Sequence, residues 1–90
     1  MIDVDGHKFE IIKDDKDCFN KEEFENLFTD YFYDYDYIVG DIAYSKLRLK
    51  GFYDENNKKV KDVNNIKNLQ DYIDNYCAYG CKYFILKKEK

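Results

Sequence analysis

Three cysteines and one histidine are the side chains of this 90-residue sequence best suited to metal or thiol chemistry. Cys77 and Cys81 lie four positions apart, and together with Cys18 and His7 they would complete a Cys3His zinc set. However, a spacing of four lacks the CxxC geometry of redox motifs and zinc knuckles. Cys77 also falls at the end of a predicted helix, where the negative end of the helix dipole disfavours a thiolate. We therefore expect free thiols and no cofactor, with a thiol or metal site at Cys77 and Cys81 as a third-ranked hypothesis.

Catalytic motifs are missing from the sequence. It contains no glycine-rich phosphate loop, no nucleophile elbow and no HExxH. A serine triad would need His7 as the base for Ser45, and nothing in the sequence brings them together. Carboxylates are abundant, but most fall where a solvated helix or turn would place them. The sequence favours a non-enzymatic protein, and a hidden acid/base pair is the alternative.

Arg48 is the only arginine in a chain that otherwise uses lysine for every positively charged side chain. A planar guanidinium binds a carboxylate or phosphate through two parallel hydrogen bonds, which an ammonium cannot do. One interpretation is a structural ion pair with Asp41 on the neighbouring predicted strand. The other is recognition of a carboxylate or phosphate group on a ligand.

A candidate binding surface surrounds this arginine on the second predicted hairpin. Tyr44 falls at the hairpin tip, and Arg48 and Lys50 would flank its ring with positive charge, as suits a protein or a single-stranded nucleic acid. Tyrosine and aspartate alternate from Tyr33 to Tyr37, a composition that protein interfaces favour. The candidate surface comprises Asp41, Tyr44, Arg48, Lys50 and Tyr53.

Composition restricts the partner and the compartment. Nineteen acidic residues against fifteen basic ones give a net charge of -4, which disfavours non-specific binding to DNA or RNA. No apolar run approaches the length needed to span a bilayer, and the N-terminus has no signal-peptide pattern. We expect a cytoplasmic protein that does not engage a membrane.

The elements that position these residues fit one domain, residues 1–90. Seven Phe and ten Tyr supply enough apolar surface for one core, and no proline, repeat or linker divides the chain. The hydrophobic patterns predict the order ββαββαβ, an α+β fold in which a mainly antiparallel sheet packs against two helices.

The N-terminal half of this prediction begins with a hairpin turn at Asp5-Gly6. Asn20 is the predicted cap of the first helix, with Phe19 packing on Phe24 as a hydrophobic staple. Apolar spacing predicts that this helix continues to between Phe32 and Asp34. The turn sets the predicted pairs of the first hairpin: Ile2 with Phe9, Asp3 with Lys8, and Val4 with His7.

The C-terminal half contains a second hairpin, a helix and a strand. The hairpin joins strands at residues 37–40 and 47–53 through residues 42–46, and a shift in apolar phase predicts a bulge at Gly51. Asn64 or Asn65 begins the second helix and Gly80 ends it. Residues 83–86 are apolar on both faces, which is typical of a central strand.

Residues 35–41 and 47–53 resemble the YutD-like family of small bacterial proteins. The likeness covers nearly the whole chain and includes Asp5-Gly6-His7, Phe19-Asn20 and several residues of 76–84. It implies a compact cytoplasmic α+β domain and carries over no established biochemical activity. Relatives tend to have an aromatic residue and glycines where this chain has Ile42, Ala43 and Ser45, which weakens any proposal that the hairpin tip stacks on bases.

The leading functional hypothesis is a non-enzymatic binding or regulatory module that binds a protein partner through the second hairpin. The alternative is an RNA- or ribosome-associated factor that uses the same hairpin despite the acidic net charge.

Overall fold

The computed structural model describes residues 2–4, 6–43, 45–76 and 82–89. The elements follow the predicted order ββαββαβ, and 3-10 turns at Asp15–Asp17, Asp30–Phe32, Asp62–Asn64 and Ile66–Asn68 connect some of them. In chain order they are β1 (Ile2–Val4), β2 (His7–Asp14), α1 (Lys21–Leu27), β3 (Tyr37–Ala43), β4 (Lys46–Phe52), α2 (Leu69–Tyr76) and β5 (Lys82–Lys88).

The described strands form one sheet in the order β1-β2-β5-β3-β4, and every neighbouring pair is antiparallel. The predicted α+β class is therefore confirmed. The last strand of the chain, β5, lies in the middle of the sheet, and β4 lies at one edge. Among the described residues, no helix has both the length and the apolar run needed to cross a bilayer.

Both faces of the sheet are covered by other parts of the chain. This explains why β5 has apolar side chains on both of its faces. On one face, Phe24 and Phe28 pack on a cluster that includes Phe9, Ile38 and Phe84. The opposite face buries a smaller cluster of three residues under Leu69 and Tyr72 of α2: Val39, Phe52 and Ile85. Because the aromatic rings of both layers meet the sheet, the small domain has a core on each side of it.

The first hairpin has the predicted register, with Ile2 opposite Phe9, Asp3 opposite Lys8 and Val4 opposite His7. Gly6 has a φ of +79°, a left-handed conformation that the turn requires and that glycine adopts without strain. In the described part of the sheet, the strand pairing is irregular in β2, where the register with β5 shifts between Ile11 and Lys13.

Helix α1 begins as predicted and ends earlier than predicted. The Asn20 Oδ1 atom accepts a hydrogen bond of 3.1 Å from the Glu23 backbone N–H, which confirms the cap. The predicted end between Phe32 and Asp34 is wrong, because the helix stops at Leu27 and Phe28 adopts an extended backbone. Leaving the helix lets Phe28 reach the core, where its ring centroid lies 5.5 Å from that of Phe9.

The second hairpin has a longer first strand and a shorter connection than predicted, and its second strand begins and ends one residue earlier, since pairing continues from Tyr37–Phe52 to Ala43–Lys46. The predicted bulge at Gly51 is wrong, because its pairing with Ile38 is in regular register. Gly51 is instead a packing requirement: a Cβ at this position would lie 2.2 Å from ring atoms of Tyr35. The alternation of apolar side chains along β4 changes phase because its two faces pack into different core clusters.

Helix α2 begins at Leu69, so the prediction of a start at Asn64 or Asn65 is wrong. The Tyr53 N–H donates to the Asn64 carbonyl oxygen at 2.7 Å, and the Ile66 N–H donates to the Tyr53 carbonyl oxygen at 2.9 Å. Asn65 therefore pairs with Tyr53 as in a parallel strand and cannot be helical. The predicted end of this helix at Gly80 lies outside the described residues.

Candidate binding surface

The central feature of the candidate surface is the ion pair between Asp41 and Arg48. Strands β3 and β4 place the two residues directly opposite each other, and the Arg48 Nη2 atom donates to Asp41 Oδ2. The predicted ion pair is therefore confirmed. The Asp41 side chain is only 3% exposed, whereas that of Arg48 is 51% exposed. The pair thus holds a guanidinium at the surface by means of a carboxylate in the interior.

The second carboxylate oxygen of Asp41 is less well satisfied. Asp41 Oδ1 is buried and has no hydrogen-bond partner among the described residues. A buried acceptor without a donor costs about 1 to 3 kcal/mol, so most buried polar groups in proteins have a partner. The presence of a carboxylate at Asp41 is therefore better explained by its hydrogen bond to Arg48, which positions the guanidinium, than by a contribution to stability.

Lys50 adds a second positive charge on the same face of β4, two residues after Arg48. Its Nζ atom lies 5.4 Å from the ring centroid of Phe52 and 5.5 Å from that of Tyr72. These distances fall in the range of cation–π interactions, which stabilise an ammonium over an aromatic ring. Lys50 is thereby directed toward α2.

Two of the residues predicted for the surface lie in the interior. Asp41 is buried beneath Arg48, and Tyr53 is only 8% exposed. The Tyr53 ring packs against Tyr35 at a centroid distance of 4.7 Å, while its backbone binds Asn64 and Ile66. The prediction that Asp41 and Tyr53 are exposed is therefore wrong, and they support the surface from below. Tyr44 lies outside the described residues.

A groove runs along the outer edge of β4 and includes residues that the sequence analysis did not select. Its volume is about 500 Å³. Tyr31 and Val63 rise from its two sides and are 67% and 75% exposed. We call this feature the edge groove; residues 48–51 of β4 form its floor, and its walls are Tyr31, Phe32 and Tyr35 on one side and Val63, Asn64 and Tyr72 on the other.

One wall of the edge groove is ordered by a hydrogen bond between two tyrosines. The Tyr35 hydroxyl donates to the Tyr31 hydroxyl at 3.2 Å. This hydrogen bond, followed by partial burial, raises the pKa of Tyr35 to about 12. Tyr35 therefore presents a neutral hydroxyl at physiological pH. The alternation of tyrosine and aspartate from Tyr33 to Tyr37 was the sequence signal for Tyr35, but it did not include Tyr31 and did not identify which rings face solvent.

The described residues give little support to the hypothesis of a thiol or metal site. Burial, followed by the negative charge of Asp14, raises the pKa of the Cys18 thiol and thus reduces its thiolate fraction. The His7 ring packs against Tyr33 at a centroid distance of 4.3 Å. Within the described ranges, no group of three or more metal-binding side chains comes together. Cys77 and Cys81 lie outside those ranges, so their predicted site is not described.

Comparisons with known proteins agree with the fold. Residues 3–87 match the family described as "Putative antitoxin YutD-like". The chain is 46% identical over 88 residues to a Bacillus subtilis protein named "Putative antitoxin YutD", covering 98% of this chain and 97% of that relative. It is also similar to the solution NMR structure of protein yutD from B. subtilis, with a TM-score of 0.82 and 44% identity, covering all of this chain and 82% of that one.

Proposed function

Because the chain belongs to the YutD-like family, we propose that it is a non-enzymatic binding module that engages another protein through its second hairpin, β3 and β4. The B. subtilis relative is named "Putative antitoxin YutD", and an antitoxin is by definition a protein that counteracts a toxin. By analogy, the partner of this chain is a protein in the role of a toxin. The observation that carries the proposal is the surface guanidinium of Arg48, held by the buried carboxylate of Asp41.

The geometry of this pair supports a role in recognition. Asp41 is on a strand with neighbours on both sides, so its position is rigid, and Arg48 is fixed in orientation before a partner arrives. Fixing a long side chain in advance reduces the conformational entropy lost on binding. Arginine also contributes often to the strongest contacts of protein interfaces, together with tyrosine. Tyr31 and Tyr35 line the same edge groove as Arg48, from the opposite face of β4.

The charge distribution favours a protein over a nucleic acid. Arg48 and Lys50 are the charged residues among those that line the edge groove, and two cations neutralise few phosphates. The chain as a whole is acidic, with a net charge of -4, and repels a polyanion at longer range. A local cluster of carboxylates on a protein surface matches two cations better than a continuous phosphate backbone does.

Affinity capture from the organism's own cells tests this proposal. The informative variants are Arg48→Lys, which keeps the charge and loses the planar fork, and Asp41→Asn with Arg48→Gln, which removes both charges together. Lys59→Ala is the matched control, because it breaks an exposed ion pair in which Lys59 Nζ lies 3.0 Å from Asp34 Oδ2. Circular dichroism of each variant verifies that it is folded.

The wild type and the Lys59→Ala variant are expected to capture the same defined protein, with or without nuclease. Both hairpin variants should retain less than about a tenth of it, equivalent to about 1.4 kcal/mol of binding free energy. Folded hairpin variants that capture the protein as well as the wild type would contradict the proposal. Capture that disappears with nuclease would instead favour the RNA-associated alternative, and this outcome would be accompanied by a steep dependence on salt.

A further inference from the structure

The outer edge of β4 has backbone groups that the rest of the sheet does not use. At the end of the strand, the Phe52 carbonyl oxygen faces β3 and accepts from the Asp36 N–H at 3.0 Å. The backbone N–H and C=O groups of the next residue, Tyr53, point away from β3 and form hydrogen bonds with the segment at residues 64–66. Backbone groups alternate in direction along an antiparallel strand. The N–H and C=O groups of Leu47, Leu49 and Gly51 therefore point away from β3.

The outward groups of Leu47 and Leu49 are open to a further strand, whereas Gly51 is buried beneath the ring of Tyr35. Within the part of the chain that the structure describes, β4 pairs with β3 alone, and no hydrogen bond reaches the backbone of Leu47, Leu49 or Gly51 from the outer side. Residues 64–66 already extend the sheet at Tyr53 as a short parallel segment. The remaining edge, from Lys46 to Lys50, is about 17 Å long, which is enough for a strand of five residues.

We propose that this edge binds an extended segment of the partner protein as an additional strand of the sheet. The inference rests on the proposed function and specifies how the partner binds. Main-chain hydrogen bonds to an open edge supply affinity, and pockets beside alternate side chains supply specificity. The edge groove provides both, because its floor is the β4 edge and its walls are side chains from the layers above and below the sheet.

The two faces of β4 define the sequence pattern of the segment. Leu47 and Leu49 contribute to the aromatic core on one face, next to the wall that includes Tyr31. Arg48 and Lys50 lie on the other face, which α2 covers. Side chains of an added strand alternate between the same two faces. The segment therefore carries apolar residues at alternate positions and carboxylates between them.

A second copy of this chain is a poorer occupant than a different protein. In a symmetric antiparallel pairing of two β4 strands centred on Leu49, Arg48 of each copy would lie opposite Lys50 of the other. Like charges at directly opposed positions destabilise a strand pair. Charged residues on exposed edges commonly prevent self-association in this way. The same two charges attract a segment with carboxylates at these positions.

A synthetic peptide of about eight residues that alternates valine and glutamate is the direct probe. We expect it to bind the wild-type protein, and a peptide with lysine in place of glutamate to bind about ten-fold more weakly or not at all. In NMR spectra, the amide signals of Leu47 and Leu49 should shift more than those of Lys46, Arg48 and Lys50. Equal binding of the two peptides, or binding of neither, would overturn the proposal.

Two N-methylated versions of the peptide separate strand addition from contact through side chains alone. One is methylated at every second amide, and the other at the amides between. Because only one set of amides in an added strand faces β4, one version should bind like the parent peptide and the other about ten-fold more weakly. If both versions bind alike, main-chain pairing does not occur. This comparison uses the wild-type protein, so it does not depend on how a variant folds.

Leu49→Pro is the matching protein variant, since proline removes an outward N–H and leaves the hydrogen bonds to β3 in place. Leu49→Thr, which keeps the N–H, is its control. In the affinity capture, loss with Leu49→Pro and not with Leu49→Thr supports strand addition. Capture by the folded Leu49→Pro variant, together with loss in the Arg48 variants, overturns strand addition and retains the proposed function. Capture by all of these variants overturns both.

Discussion

The ring of Phe84 lies directly over Gly40. A Cβ atom on residue 40 would stand 2.1 Å from the Phe84 Cζ atom and 2.5 and 2.6 Å from its two Cε atoms. The residues are directly opposed on the neighbouring strands β5 and β3, and the Phe84 side chain is fully buried. Glycine is therefore required at position 40 by packing, since the ring occupies the space in which any other side chain would begin.

Gly40→Ala is expected to destabilise the protein by about 3 kcal/mol, because the buried ring or the central strands must move to admit the methyl group. Urea denaturation followed by circular dichroism measures this loss. The double variant Gly40→Ala with Phe84→Leu should recover part of the loss that Gly40→Ala causes, since the smaller side chain gives the methyl group room. Strictly additive effects of the two substitutions would contradict the direct contact.

Arg48→Ala is expected to lower the free energy of unfolding by about 1 to 2 kcal/mol, because it leaves the buried Asp41 carboxylate without its cation. The loss is smaller than for a fully buried pair, since Arg48 is half exposed and solvent screens the interaction. Asp41→Asn with Arg48→Gln should cost less than Arg48→Ala alone, because no charge is then stranded. The same urea measurement, arranged as a double-mutant cycle, tests this order.

The Tyr35–Tyr31 hydrogen bond predicts a pH dependence at high pH. The pKa of Tyr35 is raised to about 12 in the folded protein, above the ordinary value of 10. The folded state therefore favours the neutral phenol. Its stabilising contribution is fully present below pH 10 and is lost as the pH rises through 12. Absorbance titration at alkaline pH should reveal a late-titrating tyrosine that disappears in Tyr35→Phe, while Tyr37→Phe serves as the control.

Asn20→Ala is expected to destabilise the protein by about 1 kcal/mol, because the Glu23 N–H loses the acceptor at the start of α1. Asn20→Asp should keep most of the stability, since a carboxylate also accepts this hydrogen bond and interacts favourably with the helix N-terminus. Thermal unfolding of the two variants beside the wild type gives the comparison. Equal losses in both would contradict a capping role for residue 20.

Local signals account for most of what could be predicted. The turn predicted at Asp5-Gly6 indicated the observed pairs of the first hairpin, because a short turn fixes the register of its strands. Asn20 caps α1 because its acceptor is three residues from the donor. The ion pair between Asp41 and Arg48 was predictable for a related reason, since the second hairpin brings together residues seven apart along the chain.

The predictions were wrong where contacts between distant parts of the chain, and not the local sequence pattern, decide the structure. Helix α1 stops at Leu27 because the sheet provides a buried position for Phe28, which helical periodicity does not reveal. Asn65 forms a bridge with Tyr53 and thereby delays α2 to Leu69. Gly51 suggested a bulge, whereas its actual role is to accommodate the ring of Tyr35.

By itself, the sequence determined the order of elements and the α+β class, since these follow from periodicity and turns, and it offered the pairing of Arg48 with Asp41 as one of two interpretations. Only the tertiary structure decided that Asp41 and Tyr53 are buried and that the outer edge of β4 forms the floor of a groove. The reason is the strand order: β5 inserts between β2 and β3 and leaves β4 at the edge. Tyr31, Val63 and Tyr72, from distant segments, meet only around that edge.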